Sequence, residues 1–278
     1  MPCRPPSRSR SALLLAGLMA GLGVPVLALA APAWAAMPQA ASPIVPAGAV
    51  AQGIPAPSPV LLQALESALN ARDDAALVAL LKPGPGLDPA ELRQRRQLLR
   101  QQFPDATWRV RAGRPLQDGR GTVNLQVSGT RVLAGSTYRL DAQQTLVLLS
   151  DGSHLAGQTL LTESSLLRSG EKALPVLLQI PDAVLTGQRY DVDLIVDEPL
   201  NGTLVAGGIA AVSLQQVAAM ESPPLELGAL GGGGLFKTVR APQTPGSQTW
   251  AMLLVHPQGV VSATKRVRVV ADRRALDP

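Results

Sequence analysis

The apolar residues of this chain change their spacing once, around Pro104, and that change constrains the fold more than any other feature. Before it, Leu61, Leu62, Leu65, Ala68 and Leu69 recur at helical spacing and form one stripe. Asp73 or Asp74 is placed to cap a second short helix carrying Ala75, Leu77, Leu80 and Leu81, which the Pro-Gly pairs at 83–86 stop. A third helix begins with Asp88 as N-cap, Pro89 in the first turn and Glu91 three residues after the cap. It runs to about Gln102. After Pro104 the period is two: Trp108, Val110 and Ala112 alternate with arginines, and Val123, Leu125 and Val127 alternate with polar residues. Asp118-Gly119 between these runs suits a tight hairpin turn. Further runs cover 137–149 and 154–167, joined at Asp151-Gly152. Helices followed by a four-stranded antiparallel meander predict an α+β unit, its N-terminal helices packed on a curved sheet.

Beyond the polar stretch 169–172 the helical period does not return. Strands are expected at 174–180, 190–196, 204–213, 225–229, 235–240, 249–255 and 260–270, with turn-forming residues between most of them. About seven short strands at this spacing predict an all-β sandwich of immunoglobulin-like architecture, here without the usual cysteine pair. The expected organisation is an export signal at 1–36, a Pro/Ala-rich tether at 37–58, the α+β unit at 59–168 and the sandwich at 173–271.

The stretch from Leu61 to Leu81, with its Ala-Leu-Asn-Ala-Arg-Asp-Asp-Ala-Ala-Leu hinge, resembles the opening of a nuclear transport factor 2-like (SnoaL-like) domain. The resemblance spans roughly 59–168 and implies a cone-shaped α+β fold. Isomerases, dehydratases and non-catalytic binders all share that fold, so it does not choose a function. Cone-type domains often dimerise through the sheet, so a homodimer is also implied. The later Arg-Tyr-Asp-Val-Asp-Leu-Ile-Val-Asp-Glu-Pro-Leu run is similar to that of uncharacterised exported cyanobacterial proteins.

Export is read from the first three dozen residues. Arg4, Arg8 and Arg10 precede an apolar stretch that ends in Ala28-Leu29-Ala30 and Ala33-Trp34-Ala35, two small-x-small exits. Cleavage there implies a periplasmic protein, or one of the thylakoid lumen in a cyanobacterium, with no integral membrane span remaining. It also removes Cys3, the one cysteine, which excludes disulfides. Three of the 25 Lys and Arg leave with the signal while all 20 acids stay, so the formal charge falls from +5 to +2. Near balance of charge, with aromatics at 3%, argues against nucleic acid as a partner.

Few residues carry chemistry. His154 and His256 are the only histidines, and neither has acids around it at metal-ligand spacing. Asp191, Asp193 and Asp197 alternate along a strand with Val192, Leu194 and Val196, which describes a solvated sheet face. Gly231 to Gly234 lacks the Lys-Ser/Thr of a phosphate loop. No catalytic, metal or cofactor site is expected. Trp108, Tyr138 and His154 are candidate linings of a cone pocket. Arg93, Arg96 and Arg100, at i, i+3 and i+7, are a candidate anion-binding helix face. The leading expectation is a non-enzymatic binding or assembly protein for an unknown partner. The alternative is a cone-pocket enzyme of isomerase or dehydratase type, or a carrier, acting on a small apolar molecule.

Overall fold

The computed structural model describes residues 56–170, 174–197, 203–219, 221–230 and 232–277. The export signal and all but the last residues of the tether lie outside them. Three helices come first: α1 Pro59–Asn70, α2 Ala75–Leu80 and α3 Pro89–Gln102. Each has a polar start. The Ser58 hydroxyl accepts from Leu61 N, Asp73 from Ala75 N, and Asp88 from the N–H groups of Ala90 and Glu91. The apolar stripe of α1 is buried as its spacing requires, from Leu61 through Leu69.

A meander follows: β1 Thr107–Ala112, β2 Val123–Leu133, β3 Ser136–Ser150 and β4 Leu155–Ser169. Trp108, Val110, Val123, Leu125, Val127, Leu140, Ala142 and Leu148 point from it to the helices, around fully buried Leu77 and Phe103. Asp118-Gly119 sits in a turn closed between Leu116 and Arg120, at the tip of a longer β1–β2 connection rather than in a two-residue hairpin. The rest of the chain forms β5 Val176–Gln179, β6 Ala183–Leu185, β7 Arg189–Val196 and β8 Val205–Val212. A short helix α4 (Leu214–Ala219) then precedes β9 Gly228–Leu230, β10 Gly234–Arg240, β11 Gly246–His256 and β12 Gly259–Val270.

The expected fold class, an α+β cone followed by a separate all-β immunoglobulin-like sandwich, is corrected by how these strands assemble. Strands make up 50% of the structure and helices 19%, so the protein is mostly sheet. One nine-stranded sheet runs β1-β2-β3-β4-β12-β11-β8-β9, with β6 added in parallel beside β12. Its seam is β4 against β12, antiparallel, with Glu163 to Arg168 opposite Arg266 to Val261. Spacing along one strand fixes which face is buried but not which edge it meets. Strand by strand, the sequence therefore does not show that these edges join in one sheet.

A three-stranded sheet, β10-β7-β5, covers the opposite face of the β12–β11–β8 part. Val192, Leu194, Met252, Leu254, Val261 and Val267 are buried between them. The outer edge of β1 would present bare backbone groups, and α1 covers them. Asn70 accepts from Trp108 N and donates to Trp108 O, while the Glu66 carboxylate accepts from Val110 N. Among the described residues no helix is long and apolar enough to cross a membrane.

Candidate functional site

The most unusual chemistry lies at the seam, under α3. Glu163 on β4 stands directly opposite Gln144 of β3 on one side and Arg266 of β12 on the other. It is 4% exposed. Gln144 Nε2 donates to Glu163 Oε1 at 3.0 Å. Arg95 enters from α3, buried, and also pairs with Glu91 one helical turn back. Burial pushes the Glu163 carboxyl up to about 7, against the pull of Arg266, the Gln144 hydrogen bond, Arg95 and Lys265. Burial likewise lowers the Arg95 and Arg266 guanidinium values, with Glu91 and Glu163 opposing the shift for Arg95 and Glu163 for Arg266. Beside this group, Ser165 and Thr264 share a 2.6 Å hydrogen bond across the same seam.

The residues expected to line a cone pocket stand in three different places. Trp108 is buried on β1, with Arg96 and Arg100 over its ring at 5.9 and 5.3 Å. Tyr138 lies at the start of β3, paired with Ser169, and takes the Arg131 guanidinium at 5.6 Å from its ring. His154 sits in the turn beyond the other end of β3, its Nδ1 3.4 Å from Asp151. Tyr138 and His154 stand near opposite ends of the fifteen-residue β3, so they do not face one cavity. His256 ends β11 and accepts from Gln258 N in the turn that follows.

The helix face drawn from Arg93, Arg96 and Arg100 is not a shared anion-binding surface. Arg93 is exposed, whereas Arg96 is buried. Arg96 donates to the carbonyls of Leu69 and Ala71 and pairs with Asp74, and Arg100 donates to the carbonyl of Asn70. Both guanidinium groups therefore serve the C-terminal end of α1, where unpaired carbonyls and the helix dipole favour cations.

The helix–sheet interior holds a void of about 30 Å³ bordered by Leu65, Leu69, Leu81, Leu125, Leu148 and Gln158. A hollow of about 10 Å³ lies between Leu69, Arg95, Leu99 and Trp108. One water needs on the order of 10–15 Å³, so neither space holds a substrate-sized molecule. Among the described residues no group of three or more His, Cys, Asp or Glu could hold a metal ion.

The outer face of the three-stranded sheet is different. Val192, Leu194 and Val196 point inward, which turns Asp191, Asp193 and Ile195 of β7 outward, the face that the alternation of acids and valines predicts. Phe236 of β10 stands opposite Asp193, and Leu177 of β5 opposite Ile195. Phe236 is 62% exposed and Leu177 50%. The Asp191 carboxylate accepts from Thr238 on the same face.

Residues 171–270 match a family described as a domain of unknown function (DUF8623), which covers less than half of the chain. No curated protein matches the sequence. The matched stretch contains β5 to β12 and Arg266, whereas Arg95, Gln144 and Glu163 lie before it.

Proposed function

We propose that this is an exported, non-enzymatic binding or assembly protein, with the outer face of the β10-β7-β5 sheet as its contact surface. The observation that carries the reading is the cluster of Phe236, Leu177 and Ile195 on that face, with two large apolar side chains at least half exposed. Diagonal and direct cross-strand neighbours of this kind are within reach of one another, so a partner meets them as one patch. The packed helix–sheet interior supports the same reading over a pocket enzyme, since about 30 Å³ leaves no room for a substrate. Export rests on the basic, apolar and small-residue order of the first three dozen residues.

Native mass spectrometry of the protein from its own extracytoplasmic fraction tests this reading. The expected result is a mature chain lacking Met1 that carries a second polypeptide, lost in a Leu177→Ser/Phe236→Ser double variant of unchanged melting temperature. A small molecule retained on the monomer, or a partner indifferent to the double variant, overturns it.

A further inference from the structure

The exposed face of the β10-β7-β5 sheet carries its charges in an order that selects among partners. Along β7 the outward positions run Arg189, Asp191, Asp193 and Ile195, and exposed Asp197 follows one step past the strand. The Asp197 N–H donates to Pro175 O, so the β5–β7 ladder continues through it. Ile195 therefore lies between two carboxylates, each two positions away. Its cross-strand neighbours are Leu177 and Gly234, and the glycine adds no side chain to cover it. Phe236, diagonal to Ile195, stands opposite Asp193.

These acids are not neutralised within the fold. Among the described residues neither Asp193 nor Asp197 forms an ion pair, and the Asp191 carboxylate accepts from the neutral Thr238. The cations of β10 and β7 stand elsewhere. Lys237 is 5.5 Å from the centre of the Trp250 ring, on the inner side of the sheet. Arg189 and Arg240 face each other at the far end, beyond Asp191.

We propose that this face docks an extended segment of another protein with the pattern basic-x-apolar-x-basic. The apolar side chain sits among Ile195, Leu177 and Phe236, and the two cations meet Asp193 and Asp197.

This docking rests on the reading of the sheet as the protein's contact surface, to which it adds the chemistry of the partner. Side chains two residues apart in an extended chain are separated by about 6.5–7 Å. A strand laid along β7 therefore repeats the spacing from Asp193 through Ile195 to Asp197. The same order disfavours other partners. Nucleic acid, an acidic polysaccharide or an anionic lipid surface would set negative charge against both carboxylates. A second copy fares no better face to face. A two-fold axis across β7 at Ile195 sets Asp193 against Asp197, and one along β7 sets each acid against its own counterpart.

Fluorescence anisotropy of three labelled synthetic peptides with the full-length protein tests the docking. The first has lysine at both basic positions, leucine at the apolar one and serine elsewhere. The second replaces lysine by glutamate, and the third replaces leucine by serine. The lysine–leucine peptide is expected to bind at least about fivefold tighter than either control, the worth of two exposed ion pairs or one buried apolar side chain. Asp193→Asn/Asp197→Asn should remove its advantage over the glutamate peptide, and Leu177→Ser/Phe236→Ser its advantage over the serine peptide. Absence of binding, equal affinity for the lysine and glutamate peptides, or an advantage that survives Asp193→Asn/Asp197→Asn overturns the docking. If both leucine peptides bind alike and both are lost in Leu177→Ser/Phe236→Ser, the contact surface stands and only the partner's charge is wrong. If binding is indifferent to Leu177→Ser/Phe236→Ser, the contact surface itself falls. Should the asparagine variant not fold, salt decides: the lysine advantage of the native protein must shrink as ionic strength rises, and an unmoved advantage overturns the docking.

Discussion

Glu163 and Arg266 face each other across the β4–β12 seam, one from the helix-covered meander and one from the stretch matched to a domain of unknown function. A buried carboxyl in that position has to choose between losing its charge and keeping it beside a guanidinium. Its value near 7 places the choice within the physiological range.

Overall stability should follow the protonation of Glu163. Between about pH 4.5 and 7 the folded protein binds a proton that the unfolded chain releases, so this group's contribution falls as pH rises. Urea denaturation at half-unit steps should show a downward slope for the native protein across that window. The slope for Glu163→Gln should be flatter.

Arg266→Met removes the cation that pulls hardest on Glu163. The carboxyl should then titrate above its native value, and the window of pH-dependent stability should move up with it. Carboxyl NMR of the variant checks this, and an unchanged midpoint would assign Arg266 a packing role only.

Arg96 and Arg93 should part company despite lying on one helical face. Arg96→Met leaves the Leu69 and Ala71 carbonyls and Asp74 without their buried donor and should cost about 2–3 kcal/mol. Arg93→Ala, at an exposed position, should stay within about 0.5 kcal/mol. Equal losses in thermal unfolding would restore a common role.

Asn70→Ala should cost about 2 kcal/mol, because it strips a donor and an acceptor from the backbone of Trp108. It also bares part of the outer edge of β1. Light scattering should therefore detect self-association in this variant at concentrations where the native protein is unaffected.

The strands were legible one by one. Alternation in β1, β2 and β7 marks inward residues that are buried as expected, except Ala112 at the exposed end of β1, and Asp88 starts α3 where its spacing places the cap. The assembly was not legible, because β4 and β12 each read as a complete alternating strand and nothing local says that their edges meet. Glu163 escaped for a related reason. It stands in the polar run Thr162-Glu163-Ser164-Ser165, which resembles solvated strand until Arg95 and Arg266 are brought to it from distant sequence. The short helix α4 did carry a signal. Ser213 and Gln216 exchange hydrogen bonds in a capping box, but six residues are too few to show a period.

The seam also bears on how the matched stretch could travel between proteins. Between Val261 and Arg266, β12 takes its ladder partners from residues that precede the match, and β6 fills only the last three positions of that edge. Transplanted without its upstream neighbour, the stretch would carry an open, aggregation-prone flank. A host chain would therefore have to offer a strand of its own, which makes the unit a graft that needs a rootstock rather than a free-standing brick.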